Sequence, residues 1–353
     1  MNVRIKKFRE ELSNEKLDGF IVYNPVNIRY LTGLEAEGIL ILSKYDNIYI
    51  TDSRYIEEVR NKITIEDEII VQDIKQVTDE DLINLLYDCE RIGFEEKYIT
   101  YSNYRNMIMK FRIKEAIEGN DILDKLREVK NKKEVEYIET ACNITDSCFL
   151  YLQDFIKVGM TEKEIAFEIQ KFFIENNADG VAFDSIVASG ANTSMPHAVP
   201  TDKEIEYGDP ILIDFGAKYK GYCADMTRML FVGEIKDKYK EIYNIVLEAH
   251  DKALEKMKNG ADTKAISNYV INEFKMYSYE LIHALGHGVG LDVHEKPFFS
   301  PKNSYILKNN MVVTDEPGIY IPGEFGVRIE DTILINNSQP ELLTKSNKNI
   351  MII

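Results

Sequence analysis

The chain has 353 residues, of which 44% are hydrophobic and 29% are charged, and its formal net charge is −17. This length allows two domains with a buried core in each. The acidity disfavours nucleic acid and anionic membrane surfaces as partners, because negatively charged phosphate groups would be repelled.

The sequence also lacks the usual signals of export and membrane insertion. The first residues, MNVRIKKFREELSNEKLDG, have no apolar signal-peptide core, and no apolar run approaches the roughly 20 residues of a membrane helix. The four cysteines have neither zinc-site nor disulfide spacing; they are Cys89, Cys142, Cys148 and Cys223. We therefore expect a cytoplasmic protein with reduced thiols and no membrane association.

The first third of the chain alternates helix-like and strand-like segments. Helical spacing is found in RIKKFREELSNEKL, SRYIEEVRNKI and DEDLINLLYDC. Strand-like runs are DGFIVYN, GILILSK, NIYITD and IIVQD. This alternation predicts an α/β domain in which helices cover a sheet.

The composition changes near residue 121, where a long helical stretch begins, so we predict domains at 1–121 and 122–353. The second part has helical patterns near 128–156, 162–176 and 236–258. Its strand-like runs are DSIVASG, PILIDFGAKY, GYCADMTRMLFVG, MVVTDEPGIYI and GVRIEDTILI. The short turn in AKYKGY indicates a hairpin, and the whole predicts an α+β domain with antiparallel hairpins.

Two aspartates interrupt the strands of this hairpin. Asp214 lies in one apolar strand and Asp225 in the next, and a turn near residues 219–220 would bring them opposite each other. Facing carboxylates repel and are costly to desolvate, which a divalent cation or a shared proton would relieve. A surface-facing or hydrogen-bonded structural pair is the alternative.

Two glutamates also lie in apolar strands nearer the C-terminus. Glu316 ends a strand just before Pro317, and Glu330 shares a strand face with Arg328. Arg328 and Glu330 could be a surface ion pair, but the apolar surroundings predict that Glu330 is at least half buried and needs a partner.

Three of the five histidines lie in HALGHGVGLDVHE, at residues 283, 287 and 294. Glycines flank His287; they disfavour a helix and allow close approach of the backbone. A lone histidine is more often structural, but this cluster favours His287 as a ligand. His250 lies on an ordinary helix with no ionic group evident around it, so we predict a structural role.

Asp214, Asp225, His287, Glu316 and Glu330 together offer one nitrogen and four carboxylates. Such a set can hold two divalent cations that share a hydroxide. Oxygen-rich ligation suits Mn²⁺ or Co²⁺ better than a cysteine-rich zinc site, although Zn²⁺ stays an alternative.

These residues and their surroundings resemble the pita-bread-fold metallopeptidases, namely methionine aminopeptidase, aminopeptidase P and prolidase. NPVNIRYLTG and ITDSRYIEE resemble the creatinase-like N-terminal domain of prolidase and aminopeptidase P. The catalytic-domain motifs are SGANTSMPHAVPTDKEIEYGDPILIDFGAKYKGYCADMTR, GHGVGLDVHE and EPGIYIPGEFGVRIED. The resemblance implies a creatinase-like domain followed by a pita-bread catalytic domain.

The resemblance also implies roles for individual residues. Asp214 would bind one metal ion, Asp225 and Glu330 would bridge both, and His287 and Glu316 would complete the second site. Glu316 would also accept the proton of the nucleophilic water. Substrate contacts are implied for His197, His283 and His294, and His197 and His294 would also steady the charge that develops on the scissile carbonyl. Arg328 would assist catalysis through an ion pair beside the last ligand or near the substrate. Thr227 is a plausible partner of Asp225, and Phe183 and Val293 belong either to a proline pocket or to the core.

The implied function is hydrolysis of Xaa-Pro bonds by a metal-bridging hydroxide, with Xaa-Pro dipeptides as the expected substrates. Aminopeptidase P activity on longer peptides is the alternative. A more distant alternative is a noncatalytic binding role for the pita-bread fold. The resemblance further implies a homodimer. Asp315 departs from the family pattern, which has an apolar residue there; it would either add negative charge near the site or face solvent.

Overall fold

The chain divides into two units, Met1–Arg127 and Glu128–Ile353, in the computed structural model. The structure describes residues 2–353, apart from the side chain of Glu66.

The first unit contains a six-stranded mixed sheet and six α-helices. The strands are Gly19–Val22 (β1), Ile39–Leu42 (β2), Asn47–Thr51 (β3), Ile69–Asp73 (β4), Arg91–Phe94 (β5) and Glu115–Glu118 (β6). The helices are Val3–Asn14 (α1), Pro25–Thr32 (α2), Ile56–Lys62 (α3), Asp79–Leu85 (α4), Tyr101–Phe111 (α5) and Asn120–Glu128 (α6). The strand order is β4-β3-β2-β1-β5-β6.

Apolar residues of this sheet pack against helices, as the α/β prediction requires. Ile21 and Ile48 from the strands join Leu82 of α4 and Met107 and Phe111 of α5 in one buried cluster. All predicted elements of this region are present, whereas α2, α5, β5 and β6 were not predicted. The domain boundary predicted after residue 121 falls in the first turn of α6 and stays a prediction.

The second unit combines four α-helices with thirteen short strands. The helices are Lys132–Phe155 (α7), Glu162–Glu175 (α8), Asp237–Leu254 (α9) and Thr263–Met276 (α10). The strands are Gly180–Val181 (β7), Ile186–Ser189 (β8), Pro210–Phe215 (β9), Ala217–Tyr219 (β10), Tyr222–Cys223 (β11), Met226–Phe231 (β12), His287–Gly288 (β13), Glu295–Phe298 (β14), Val312–Asp315 (β15), Gly318–Ile321 (β16), Phe325–Arg328 (β17), Asp331–Leu334 (β18) and Glu341–Leu342 (β19). Short 3-10 helices occur at Ile65–Asp67 and Ile74–Gln76 in the first unit and at Gly190–Ser194 in the second.

Antiparallel pairing dominates the second unit, as predicted. The sheets have the orders β12-β9-β8, β14-β13-β15-β18-β19, β11-β10-β7 and β16-β17. One core packs α7 and α8 against β9 and β12, through residues such as Phe149, Phe173 and Ile213. A second core packs α9 and α10 against β15 and β18, through residues such as Val246 and Ile333.

Five predicted elements of the second unit are interrupted in the structure: the long helix and the strands expected in PILIDFGAKY, GYCADMTRMLFVG, MVVTDEPGIYI and GVRIEDTILI. The long helix expected from residue 121 is divided into α6 and α7, because Asn131 caps α7 and accepts hydrogen bonds from Lys133 N and Glu134 N. The single strand expected in GVRIEDTILI is two strands, since β17 pairs with β16 and β18 pairs with β15. Glu330 lies at this break.

All four cysteines are free and buried. Across residues 2–353, no helix combines the length and the apolar character needed to cross a membrane.

Candidate functional site

A single cavity of about 500 Å³ in the second unit brings most of the predicted site residues together. The predicted residues that line it are Phe183, His197, Asp214, Asp225, His283, His287, His294, Glu316, Arg328 and Glu330. Val293 is not among the described residues that line this cavity. Its backbone hydrogen-bonds the ring of His287 instead, so its contribution is to position that ring.

The hairpin places Asp214 and Asp225 on one face, but in a different register from the predicted one. Thr227 of β12 is directly opposite Asp214, whereas Asp225 lies just before β12, in the break after β11, and not within a strand as predicted. The expected direct opposition is wrong because the turn falls one residue later, at Lys220 and Gly221, with φ values of 49° and 79°. The two aspartates therefore do not face each other directly, although both line the cavity.

Glycines beside His287 allow two other chain segments to approach its backbone closely. A Cβ atom on Gly286 would lie 2.2 Å from Thr314 O, and one on Gly288 would lie 2.2 Å from Lys296 O. The close approach predicted from the sequence is confirmed. His287 is thereby fixed on β13, between the segments that carry Glu316 and His294.

Replacing Gly286 by alanine is expected to lower the free energy of unfolding by about 1–3 kcal/mol, because the added methyl overlaps the Thr314 carbonyl. Thermal unfolding of the variant measures this loss. Gly159→Ala is the control, since Gly159 has φ 88° but open space where a Cβ atom would lie. Gly286→Ala should also weaken divalent-metal binding, which Gly159→Ala should leave unchanged; equal metal affinity in both variants would contradict the steric argument.

The ring of His287 faces two of the acids. Its Nε2 lies 3.3 Å from Glu316 Oε1 and 3.6 Å from Asp225 Oδ2. Its Nδ1 lies 3.1 Å from Gly288 O, which can only accept a hydrogen bond. The proton therefore belongs on Nδ1, and the Nε2 lone pair points towards the carboxylates, as a metal-binding histidine requires.

A hydrogen-bonded chain through Thr227 links the carboxylates on opposite sides of the cavity. Thr227 Oγ1 donates to Glu330 Oε2 at 2.6 Å and accepts from Arg328 Nε at 3.0 Å. Arg328 Nη2 also lies 2.5 Å from Asp214 Oδ2. The partner predicted for Thr227, Asp225, is wrong: the threonine instead lies opposite Asp214 and reaches Glu330.

Burial and mutual repulsion raise the pKa values of the acids. Desolvation, followed by the charges of neighbouring carboxylates, holds the pKa values of Asp225 and Glu330 well above their usual range. Burial raises the pKa of Glu316 to about 8. Burial also lowers the pKa of His287 to about 3, which keeps this ring neutral. The cavity thus gathers more carboxylate charge than Arg328 can balance, and a divalent cation would relieve the excess.

One subset of these side chains has the spacing of a metal site. Asp225, His287 and Glu330 each offer one ligand atom, and these atoms lie within 4.8 Å of one another. All three residues are buried, with at most 6% of their surface exposed.

Three further histidines line the cavity, and two of them, His197 and His294, are exposed at its mouth. His283 Nδ1 lies 2.8 Å from Ala284 O, and its Nε2 lies 3.1 Å from the hydroxyl of Tyr320. Arg328 Nη1 donates to the same hydroxyl at 2.6 Å. Burial lowers the pKa of His283 to about 4, so this ring is neutral.

Tyr320 was not predicted from the sequence. In the β16-β17 hairpin Arg328 pairs with Gly318, which makes Tyr320 its diagonal neighbour. The signal was therefore present in GIYIPGEFGVR, whose short turn fixes this register.

The predictions for His250 and Asp315 need correction. Asp315 is fully buried, so the solvent-facing alternative is wrong. His250 is also fully buried, and its Nε2 lies 3.2 Å from Asp331 Oδ2 and 3.9 Å from Asp315 Oδ2. The expectation of no ionic group around His250 is wrong. Asp315 and Asp331 are distant from it in sequence, and Asp251, the next residue, has its Oδ1 3.5 Å from His250 Nδ1.

Two family models match the chain, and together they cover both units. Residues 4–129 match the creatinase/prolidase N-terminal domain, and residues 136–337 match metallopeptidase family M24.

Individual relatives match over nearly their full length. The chain is 36% identical to an Xaa-Pro dipeptidase of Pyrococcus furiosus over 99% of this chain and 100% of that protein. An Xaa-Pro dipeptidase from Bacillus anthracis has a similar structure, with a TM-score of 0.94, 34% identity and 99% coverage of both chains. An X-Pro aminopeptidase from Thermotoga maritima has a TM-score of 0.87 and 35% identity, over 96% of this chain and 98% of that one.

These matches confirm the expected fold, in which a creatinase-like N-terminal domain precedes a pita-bread catalytic domain. Family membership also implies that divalent metal ions take part in the chemistry. The chain is therefore a member of metallopeptidase family M24.

Proposed function

We propose that the chain hydrolyses Xaa-Pro dipeptides with two divalent metal ions held by Asp214, Asp225, His287, Glu316 and Glu330. The observation that supports this most directly is the convergence of these five side chains on one cavity. The dipeptidase names of relatives that match over nearly the whole chain support the substrate class.

The donor set fits divalent ions. Asp214 Oδ1 is buried and has no hydrogen-bond partner within the described residues, so it is available for coordination. The carboxylates with raised pKa values would lose their mutual repulsion on binding a cation. Four carboxylates and one imidazole suit Mn²⁺ or Co²⁺, with Zn²⁺ as the alternative. When bound, such ions supply Lewis acidity and lower the pKa of a water molecule towards neutrality.

Glu316 is placed to move the proton of the reaction. Its Oε1 lies beside the Nε2 of His287, inside the cavity, and Thr314 Oγ1 donates to the same oxygen at 3.3 Å. We assign this carboxylate to accept a proton from the attacking water and to deliver it to the proline nitrogen that leaves.

The cavity mouth fits the substrate in two respects. His197 and His294 are exposed there and can donate hydrogen bonds to the scissile carbonyl. Apolar groups form the wall beside them, contributed by Phe183, Ile186, Pro196, Val199 and Phe298. An Xaa-Pro bond has no N–H to satisfy and carries a pyrrolidine ring, so an apolar wall is a suitable surface for it.

Aminopeptidase P activity is the second candidate. The similarity to the Thermotoga maritima X-Pro aminopeptidase favours it, and a peptide longer than two residues would have to extend beyond the apolar wall. A noncatalytic binding role is disfavoured, because every carboxylate and the imidazole of the proposed ligand set are present.

Restoring Mn²⁺ or Co²⁺ to chelated protein is expected to restore hydrolysis of Xaa-Pro dipeptides. The assay compares a panel of these with matched Xaa-Pro-Yaa tripeptides and with Xaa-Ala dipeptides as controls. Cleavage of the tripeptides alone would assign aminopeptidase P activity. The absence of metal-dependent cleavage of any of them would reject the peptidase proposal.

The homodimer and the cytoplasmic location implied earlier stay predictions. Light scattering of the purified protein during gel filtration measures whether it is a homodimer.

A further inference from the structure

A buried ionic cluster lies behind the strands that carry two of the proposed ligands. His250, on α9, is its centre, and its Nε2 lies 3.2 Å from Asp331 Oδ2 and 3.9 Å from Asp315 Oδ2. All three side chains are fully buried. This cluster has no part in the proposed chemistry, and a fully buried charge requires a partner.

The two aspartates are directly opposite each other on neighbouring strands. Asp315 is the last residue of β15, Asp331 is the first of β18, and the two are paired in the antiparallel ladder. Two buried carboxylates in this arrangement repel when both are ionised, and neither can serve as the other's partner without a proton or cation between them. The imidazole of His250 lies within ion-pair distance of both carboxylates and offsets this repulsion.

Asp331 has two further cations, whereas Asp315 depends on His250. Arg228 Nη2 lies 2.5 Å from Asp331 Oδ1, and Lys348 Nζ lies 2.6 Å from Asp331 Oδ2. Neither oxygen of Asp315 has a hydrogen-bond partner within the described residues, and its ion pair is with His250. Burial acts to lower the pKa of His250, but Asp315 and the other aspartates raise it to about 9 overall, which makes the ring a cation at neutral pH.

Glu316 directly follows Asp315, and Glu330 directly precedes Asp331. Because side chains alternate along a strand, these glutamates point to the side opposite the aspartates, where they line the cavity. The cluster also contacts the backbone of one glutamate, since Arg228 Nη1 donates to Glu330 O at 2.5 Å. Any change in the spacing of the strand ends therefore changes the spacing of the two glutamate carboxylates.

We propose that His250 is a positioning residue that holds the strand ends of β15 and β18 together through Asp315 and Asp331, and thereby sets the distance between Glu316 and Glu330. This inference rests on the proposed function, in which both glutamates bind metal. It gives Asp315 a role as the partner of His250, and it predicts that metal affinity depends on a histidine outside the cavity.

Titration of the metal-free full-length protein with Mn²⁺ in a calorimeter tests the proposal. His250→Gln removes the cation and is expected to weaken Mn²⁺ binding by about 10- to 100-fold, as the loss of outer-shell partners does in other metal sites. The visible absorption of bound Co²⁺ should change as well, because the ligand geometry changes. Asp315→Asn removes the other half of the ion pair and should show the same two effects. It keeps the proposal testable if His250→Gln does not fold.

Val246→Ala is the matched control. Val246 lies one turn before His250 on α9, is fully buried and belongs to the core under the same strands. Its truncation loosens this packing without removing a charge, so Mn²⁺ affinity should stay within about twofold and the Co²⁺ spectrum should be unchanged.

Three results would overturn the inference. Unchanged Mn²⁺ affinity and Co²⁺ spectrum in His250→Gln and Asp315→Asn would reject it while leaving the proposed function intact. An equal loss of affinity in Val246→Ala would reject it too, because general loosening would then explain the effect. If the unaltered protein binds none of Mn²⁺, Co²⁺ and Zn²⁺, both the inference and the proposed function fail.

Discussion

Replacing Glu316 by glutamine is expected to lower kcat for Xaa-Pro dipeptides by about 10²–10⁴-fold, the range for loss of a general acid–base group. The amide keeps the size of the side chain but cannot accept the proton of the attacking water. Steady-state kinetics measures this loss. The assay is run at saturating Mn²⁺, because the same substitution also removes one proposed ligand atom. The loss should therefore persist when further metal is added.

Glu324→Gln is the matched control for this prediction. Glu324 lies in the turn between β16 and β17, where its side chain is 51% exposed, and it does not line the cavity. Its kcat should stay within about twofold of the unaltered protein, the effect of a surface substitution. A Glu316→Gln variant that retains full kcat at saturating metal would remove the assignment of Glu316 as proton acceptor.

The identities of the site residues could be predicted because each acid lies in or at the end of an apolar segment of the sequence. Asp214 and Glu330 stand out in the sequence for this reason, and both line the cavity. His287 stands out through its flanking glycines, which the structure explains by the close approach of Thr314 O and Lys296 O. A local pattern was sufficient in these cases because the physical conflict, a charge or a tight contact within a strand, is itself local.

The contacts among these residues could be predicted less well, because they depend on register. A turn one residue later than expected placed Thr227 opposite Asp214 and directed its hydroxyl to Glu330. The turn uses Lys220 in the left-handed region of φ, which is uncommon for a residue other than glycine. The sequence pattern of the hairpin therefore favoured a turn one residue too early.

Most of the ionic environment of His250 could not be predicted from local patterns, although Asp251 directly follows it. The helical spacing of α9 correctly indicates which face is buried, but it contains no information about which strand packs there. Asp315 and Asp331 reach His250 only because β15 and β18 pair with each other and α9 covers them. A buried ionic cluster assembled from three distant segments therefore leaves little trace in the local sequence.

Raising the pH from about 6.5 to about 8 is expected to destabilise the metal-free protein. Burial raises the pKa of Glu316 to about 8, so over this interval the folded state retains a proton that the unfolded state has released. Each such group lowers the free energy of unfolding by about 1.4 kcal/mol per pH unit. Asp225 and Glu330, whose pKa values burial also raises, act in the same direction. Calorimetric unfolding in the presence of a chelator, over a pH series, measures the slope.

The histidines of the second unit do not reverse the direction in which the free energy of unfolding changes with pH. Burial lowers the pKa values of His283 and His287 to about 4 and about 3, and it also lowers that of His294, so the folded state holds no proton on these rings above about pH 6.5. The unfolded state releases its own protons as the pH passes about 6.5, so the opposing slope of these three groups is confined to the lower end of the interval and has largely vanished by about pH 7.5. The neighbouring aspartates raise the pKa of His250 to about 9 against the effect of burial, so this residue also loses stabilisation as the pH rises. Glu316→Gln should reduce the fall in the free energy of unfolding with pH by the contribution of one titrating group. Glu324→Gln, at an exposed position, should leave this pH dependence unchanged.

Mn²⁺ should abolish the loss of stability as the pH rises, because a cation binds the deprotonated carboxylates and releases the protons that the metal-free site retains. Stability at about pH 8 should therefore rise with Mn²⁺ concentration, and by more than at about pH 6.5, where protons compete for the same oxygens. A flat pH profile in chelator, or equal stabilisation by Mn²⁺ at both pH values, would mean that the buried acids are not the groups that bind the metal. The same carboxylate repulsion that weakens the metal-free fold is thus the source of its affinity for a divalent cation.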